Sequence, residues 1–279
     1  MQGTRRYRCD LTMTFEFRKV FNRGTKTPAV ARTGMQGAQI IDFFQTQPEK
    51  KAEAKDIVFD LMAHLIGCVE IAEDIDNQSR KTREDMTNGN ICYDPKDQVR
   101  ESPTVINLRG KVESFLHAAK LAITDSTRLL QPFYGVSFNH NLNKLRAWAN
   151  NKYGRAHRFV VIADRWEPFV KYVLLLRNAV DHPKSGRHGY LHVENFHFLQ
   201  DSNVLKLIAP LWRLEGEGAT SVANDMFTII GSIVQLHEEL IVALFYEQIG
   251  SMPLMIEEIS ESKRDQNCPI RLKVTLRQA

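Results

Sequence analysis

Four stretches of this chain repeat apolar side chains at helical rather than strand spacing, and each runs for more than twenty residues. That pattern constrains the fold more than any other feature. In 49–78, Val58, Met62, Leu65, Val69 and Ala72 mark one face. In 104–130 the stripe is Val112, Leu116, Ala119, Ile123 and Leu130. In 222–249 it is Met226, Ile230, Ile233, Leu240 and Leu244. The stretch 157–181 is apolar on two sides. One carries Phe169, Val173, Leu176 and Val180; the other carries Val170 and Leu174 and continues to Arg177 and Asp181. Helices of this kind are stable when they bury their stripes against one another, so the expected class is all-α, a four-long-helix bundle. The second side of the third helix is a candidate subunit interface.

Shorter elements fill the gaps. Residues 5–21 alternate Leu11, Met13, Phe15 and Phe17 with charged neighbours, a strand-like period of two. Residues 24–37, with Pro28, read as a loop, and 79–103 read as a long polar loop. A short helix is expected at about 143–150. Residues 188–199 and 204–214 are rich in β-formers around a polar break, which predicts a β-hairpin. Residues 250–267 read as a polar linker. Ile270, Leu272, Val274 and Leu276 then alternate as a strand that can pair with the N-terminal strand or with the hairpin. The expected organisation is a basic N-terminal arm over 1–48, a helical domain over 49–250, and a linker and strand over 251–279.

The 43% hydrophobic and 25% charged residues among 279 suit a soluble globular chain with a sizeable core. Net charge is +4, but residues 1–35 carry eight basic side chains against Asp10 and Glu16. A basic arm can neutralise phosphates, and it can equally be a solvated terminus. Cys9, Cys68, Cys92 and Cys268 form no CxxC pair, so neither a zinc site nor a dithiol motif is signalled. No apolar signal core opens the sequence, and a cytoplasmic location is expected.

Chemistry concentrates where the third helix ends. Arg177-Asn178-Ala179-Val180-Asp181-His182 precedes Pro183. A guanidinium can clamp a phosphate, an imidazole can move a proton near neutral pH, and a carboxamide can orient either. The same residues also suit a plain helix C-terminus: Arg177 and Asp181 are an i,i+4 pair, and a histidine there is favoured by the helix dipole.

Arg177-Asn178-x-x-x-His182, at the end of the third helix of a four-helix bundle, resembles the Arg-x(4–6)-His motif of HEPN-domain ribonucleases. The resemblance covers roughly 50–250 and rests on this motif and the helix order. It implies a HEPN-like bundle and a metal-independent endoribonuclease of toxin or phage-defence type. It further implies a homodimer with a composite site and an antitoxin or activating partner protein. RNA would be cleaved by attack of the ribose 2′-OH on the adjacent phosphate. His182 would be general acid/base, Arg177 would stabilise phosphoryl charge, and Asn178 would hold His182 or the phosphate in place. On an ideal helix Arg177 and His182 stand about 140° apart, so the last turn must loosen, or each must face a partner copy. Other members of the class imply the alternative of a catalytically inactive RNA- or protein-binding scaffold. A small-ligand sensor is a third reading.

Candidate RNA contacts are Lys184, Arg187 and His188 at the hairpin entry, and Arg146, Lys152 and Arg155 around Trp148. A surface hairpin and a solvated helix face explain these equally well. His192, Glu194 and His197 do not share one strand face, which argues against a common metal ion. His64, His117 and Trp166 are expected to be packed or singly satisfied. No phosphate-cradling Gly-rich loop occurs, and no cofactor is expected.

Overall fold

The computed structural model describes residues 23–89, 103–181, 189–201 and 204–277. The expected strand within 5–21, and Cys9 and Cys92, lie outside them.

Helical structure begins at Pro28, whose missing N–H costs nothing in a first turn. The Thr27 carbonyl accepts from the N–H groups of Val30 and Ala31 at 2.9 and 3.0 Å. The chain winds as a π-helix over Val30–Met35 and continues as α1 (Gln36–Asp42). This corrects the loop expected over 24–37. Its glycines serve close packing rather than turning. A Cβ at Gly34 would overlap Met62 Sδ, and one at Gly37 would stand 3.1 Å from Val58 Cγ1. Ile40, Ile41 and Phe44 are fully buried, so the segment 29–44 belongs to the core rather than to a free arm.

The bundle is built from α2 (Pro48–Thr87), α3 (Leu108–Arg128), the single turn α4 (Gln131–Tyr134), α5 (Leu142–Tyr153), α6 (Arg158–Asp181) and α7 (Val222–Gln248). Helix α2 runs nine residues beyond the expected 78. Its last turns face water and are laced by pairs such as Arg80 Nε to Asp76 at 3.1 Å. Helices α2 and α3 are antiparallel: Lys111 Nζ meets Asp74 at 2.5 Å, and Arg128 Nη2 meets Asp60 at 3.2 Å. All fifteen stripe positions read from α2, α3 and α7 are buried. On α6, Val173, Leu176 and Val180 are buried and Phe169 is partly so. Val170 is also buried, and Leu174 lies beside His140 and Leu142. The loop after α4 and the start of α5 therefore cover the side of α6 that read as a subunit interface. Helix α7 is long and apolar enough to cross a membrane on length and composition, but its Ile233, Leu236, Leu240 and Leu244 are buried in this bundle.

The hairpin is present as two nested antiparallel ladders. Strand β1 (Leu191–Glu194) pairs with β4 (Leu211–Leu214), and β2 (His197–Asp201) pairs with β3 (Val204–Ile208). The ladder breaks at Asn195-Phe196 opposite Ala209-Pro210, where proline offers no N–H. Asn195 turns its amide to the segment before α3. Its Oδ1 accepts from Val105 N at 2.9 Å, and its Nδ2 donates to Val105 O at 3.0 Å. A short β5 (Thr220–Ser221) extends β4 and leads into α7. The C-terminal strand β7 (Leu272–Leu276) takes neither expected partner. It pairs with β6 (Leu254–Glu258), drawn from the stretch expected to be linker, because Leu254 and Ile256 reach the main core.

Candidate functional site

Helix α6 stays helical through Asp181, so Arg177, Asn178 and Asp181 occupy its last turn and a half. His182, Lys184, Arg187 and His188 lie outside the described residues. The Arg177 guanidinium is held by its own helix. Nη2 meets Asp181 Oδ2 at 2.6 Å, and Nη1 donates to Asn178 Oδ1 at 3.2 Å. Its Nε is buried and has no acceptor among the described residues. A guanidinium with one buried donor unsatisfied is costly, and an acceptor oxygen supplied from outside would relieve it. The Asn178 amide oxygen is thus occupied by the arginine of the preceding residue.

The sequence did not single out His140, which lies close to this cluster. It follows Asn139, whose left-handed backbone (φ 50°) turns the loop toward α6. With Asn143, Glu167, Lys171 and Leu174 it lines a cavity of about 250 Å³. Burial lowers the basicity of its imidazole, and the positive charges of Lys120 and Arg177 lower it further. His140 thus joins the α4–α5 loop to the side of α6 and lies near enough to Lys120 and Arg177 to feel their charge. Nothing in the local pattern of residues 135–141 signals this; the juxtaposition is made by α3 and α6.

The second expected RNA-contact group sits elsewhere. Arg146 pairs with Asp164 at 3.1 Å, and Asp164 lies thirteen residues before Arg177, about 20 Å along the helix. Lys152 lies over the rings of Tyr134, Trp148 and Tyr153 at 4.9, 5.3 and 5.1 Å. Trp148 itself packs against Tyr134, Phe138, Tyr153 and Phe159. It is a structural aromatic here, not a free stacking platform. Arg155, with Arg146 and Asn150, lines a cavity of about 380 Å³. The fold therefore brings Arg146 and Arg155 to one cavity, sets Lys152 on the aromatic cluster instead, and leaves Arg146 far from Arg177 along α6. Two cations of the basic N-terminal region are engaged: Arg23 with Glu73, and Arg32 with Glu238.

The densest polar node is on α7, and the sequence did not reveal it. Glu238 is buried and accepts from Arg32 Nε at 2.8 Å and from Arg32 Nη2. It also accepts from Gln36 Nε2 at 3.0 Å and Arg271 Nη1 at 3.4 Å. Gln36 Oε1 in turn accepts the N–H groups of Arg271 and Leu272, both at 2.7 Å. Arg271 Nε reaches Glu258 at 2.8 Å. Beside this node a cavity of about 360 Å³ opens between α6 and α7. Its cations are already satisfied: Arg165 by Glu239 at 3.1 Å, Arg271 by two carboxylates, and Arg158 over the Tyr246 ring at 4.1 Å.

The remaining histidines are mostly structural. His64 Nδ1 contacts Asp125 at 2.9 Å, and Trp166 is buried with its Nε1 donating to Glu239 at 3.0 Å, as expected for both. His117 is exposed rather than packed. Among the described residues no group of three or more His, Cys, Asp or Glu is arranged to hold a metal. The molecule is a mostly helical bundle with the polar cluster Arg177, Asn178 and Asp181 at the end of one long helix. No family model matches the chain, and no curated protein or solved structure matches it.

Proposed function

We propose that this chain is a HEPN-like, metal-independent endoribonuclease with its active site at the C-terminal end of α6. The observation that carries the reading is the Arg177 guanidinium. It is held by Asn178 and Asp181, keeps a buried Nε without an acceptor among the described residues, and lies near His140. Such a group is ready to bind a phosphodiester oxygen and to stabilise the charge that builds on it. The 2′-oxygen attacks phosphorus, the P–O5′ bond breaks, and the products are a 2′,3′-cyclic phosphate and a 5′-OH. One base takes the 2′-OH proton and one acid protonates the leaving 5′-oxygen, roles for His182 and its copy in an apposed second chain. A HEPN-like homodimer acting as a toxin or defence effector, restrained by an antitoxin or switched on by a partner, is the biological setting that follows.

The test is RNA cleavage in EDTA by wild type, His182→Ala and Arg177→Ala, with end-group analysis. The expected result is cyclic phosphate ends and a loss of at least about 100-fold in either variant. Cleavage unchanged in both variants would overturn the assignment. One observation favours a second reading. The Arg177–Asp181 pair at 2.6 Å neutralises the key cation, as a catalytically inactive RNA- or protein-binding scaffold would tolerate. That scaffold binds RNA or its partner equally well with or without His182.

A further inference from the structure

A second cavity, of about 580 Å³, lies between the C-terminal half of α2, the β3–β4 corner and the first turn of α7. That size is in the range of small-molecule and nucleotide sites. Its two walls differ in kind. Arg80 and Arg83 form one, three residues apart and so on the same face of α2. Leu207, Ile208, Ala209 and Pro210 form the other, with Lys206 at their edge.

The charge here is only partly neutralised from within. Arg80 pairs with Asp76 at 3.1 Å and donates to Asn77 Oδ1. Arg83 lines the cavity and donates its Nε to the Ser79 carbonyl at 3.3 Å, which holds the stem. Among the described residues neither Arg83 nor Lys206 has a carboxylate partner. The lining therefore carries three cations against Asp76. The cavity between α6 and α7 is the opposite case, with each of its arginines already bound to a carboxylate or a ring.

Position adds to chemistry. Lys111 meets Asp74 at 2.5 Å, so the start of α3 lies beside the last turns of α2. Arg109 Nη1 donates to Tyr190 Oη at 2.6 Å, which ties the start of α3 to the chain just beyond α6. Asp225 and Glu217 are close enough to raise further the Tyr172 phenol that burial has already raised, so the first turn of α7 runs beside the C-terminal half of α6. The groove and Arg177 are therefore at one end of the bundle.

We propose that this groove binds single-stranded RNA, with phosphodiester oxygens on Arg80, Arg83 and Lys206 and bases against the apolar wall. The choice of RNA over another polyanion rests on the ribonuclease reading; the cationic groove does not. A strand seated here approaches the end of α6 from the α2 side, and the groove acts as a substrate exosite rather than as part of the chemistry.

The experiment is fluorescence anisotropy with a labelled single-stranded RNA and the full chain, from 50 to 300 mM salt. The cleavage-silent His182→Ala background is compared with the same chain carrying Arg83→Gln and Lys206→Gln. Losing two phosphate contacts should lower the slope of log K against log salt by about 1.4 and weaken binding roughly tenfold. Lys206→Gln alone, at an exposed strand position, should lower the slope by about 0.7 and guards against a folding defect in the double variant. A control pair remote from the groove, Lys55→Gln with Lys263→Gln, should leave the slope as it was. An unchanged slope in the groove variants overturns the proposal. So does an equal drop in the control, or competition by poly-glutamate as effective as by RNA. Cleavage that fails in EDTA while groove-dependent binding persists sinks the nuclease reading and leaves the groove standing.

Discussion

Glu238 and Arg177 are both charged groups set into long helices of one bundle, and they are satisfied in opposite ways. Glu238 draws its partners from the π-helix, from α1 and from the start of β7, more than thirty residues away in either direction. Arg177 takes its partners from the next turn of its own helix and still leaves Nε without an acceptor among the described residues. A carboxylate caged by four groups from three segments is a joint: it fixes where those segments meet and has nothing left to offer a ligand. A guanidinium held by its neighbours one and four residues on is poised rather than spent. The difference separates a polar cluster that holds the fold from one that can serve chemistry.

The contrast breaks most visibly at the joint. Glu238→Ala leaves Arg32 and Arg271 facing each other without their shared anion, and it should cost about 3–5 kcal/mol in urea unfolding. A loss below about 1 kcal/mol would mean the node is ornamental.

The neighbour of Glu238 gives the next effect, through pH. His237 is fully buried, neither ring nitrogen has a partner among the described residues, and burial pushes its pKa down to about 4 from an ordinary 6.5. The unfolded chain therefore binds a proton below about 6.5 that the folded chain refuses until about 4. Stability should be flat above pH 7 and fall by about 3 kcal/mol as pH drops from 6.5 to 4. His237→Leu should remove that part of the slope, read as the difference between two unfolding series. Parallel pH profiles would show that the imidazole is not the cause.

At the poised cluster, stability and activity should part company. Arg177→Ala should reduce RNA cleavage at least about 100-fold while changing stability by no more than about 1 kcal/mol. A large stability loss would place Arg177 with Glu238 as a joint. The mildest change is Asp181→Asn. It removes a partly exposed i,i+4 pair worth about 0.3–0.5 kcal/mol and releases the guanidinium, so RNA affinity should rise. Weaker binding would show that Asp181 orients Arg177 for its ligand rather than restraining it.

These two regions also explain what could be read from sequence. The stripes at Val58, Val112 and Met226 are local periodicities, and a helix that buries one face must display them. Arg177 and Asn178 are legible for the same reason, since one helix end supplies the whole cluster. The Glu238 node has no such signal. Arg32, Gln36 and Arg271 are single polar residues in unrelated contexts, and only the packed fold brings them together. His140 was missed likewise, because α3 and α6 supply the charges around it. The glycines at 34 and 37 misled for a physical reason. Absence of a Cβ marks a turn and a close helix contact alike, and here it marks the contact. Strand β6 was hidden because its apolar residues are few and lie among charges, and it is defined mainly by its pairing with β7.

The grip of Gln36 on the backbone of Arg271 and Leu272 sets a timetable for how the molecule is made. The two N–H groups lie 235 and 236 residues downstream of the amide that receives them. At translation speeds of about 5–20 residues per second, Gln36 waits roughly 10–50 s for its partners to be synthesised. Glu238 emerges before Arg271 and meets Arg32 and Gln36 first. The C-terminal hairpin then acts as a latch, closing over a carboxylate that two earlier side chains have already found.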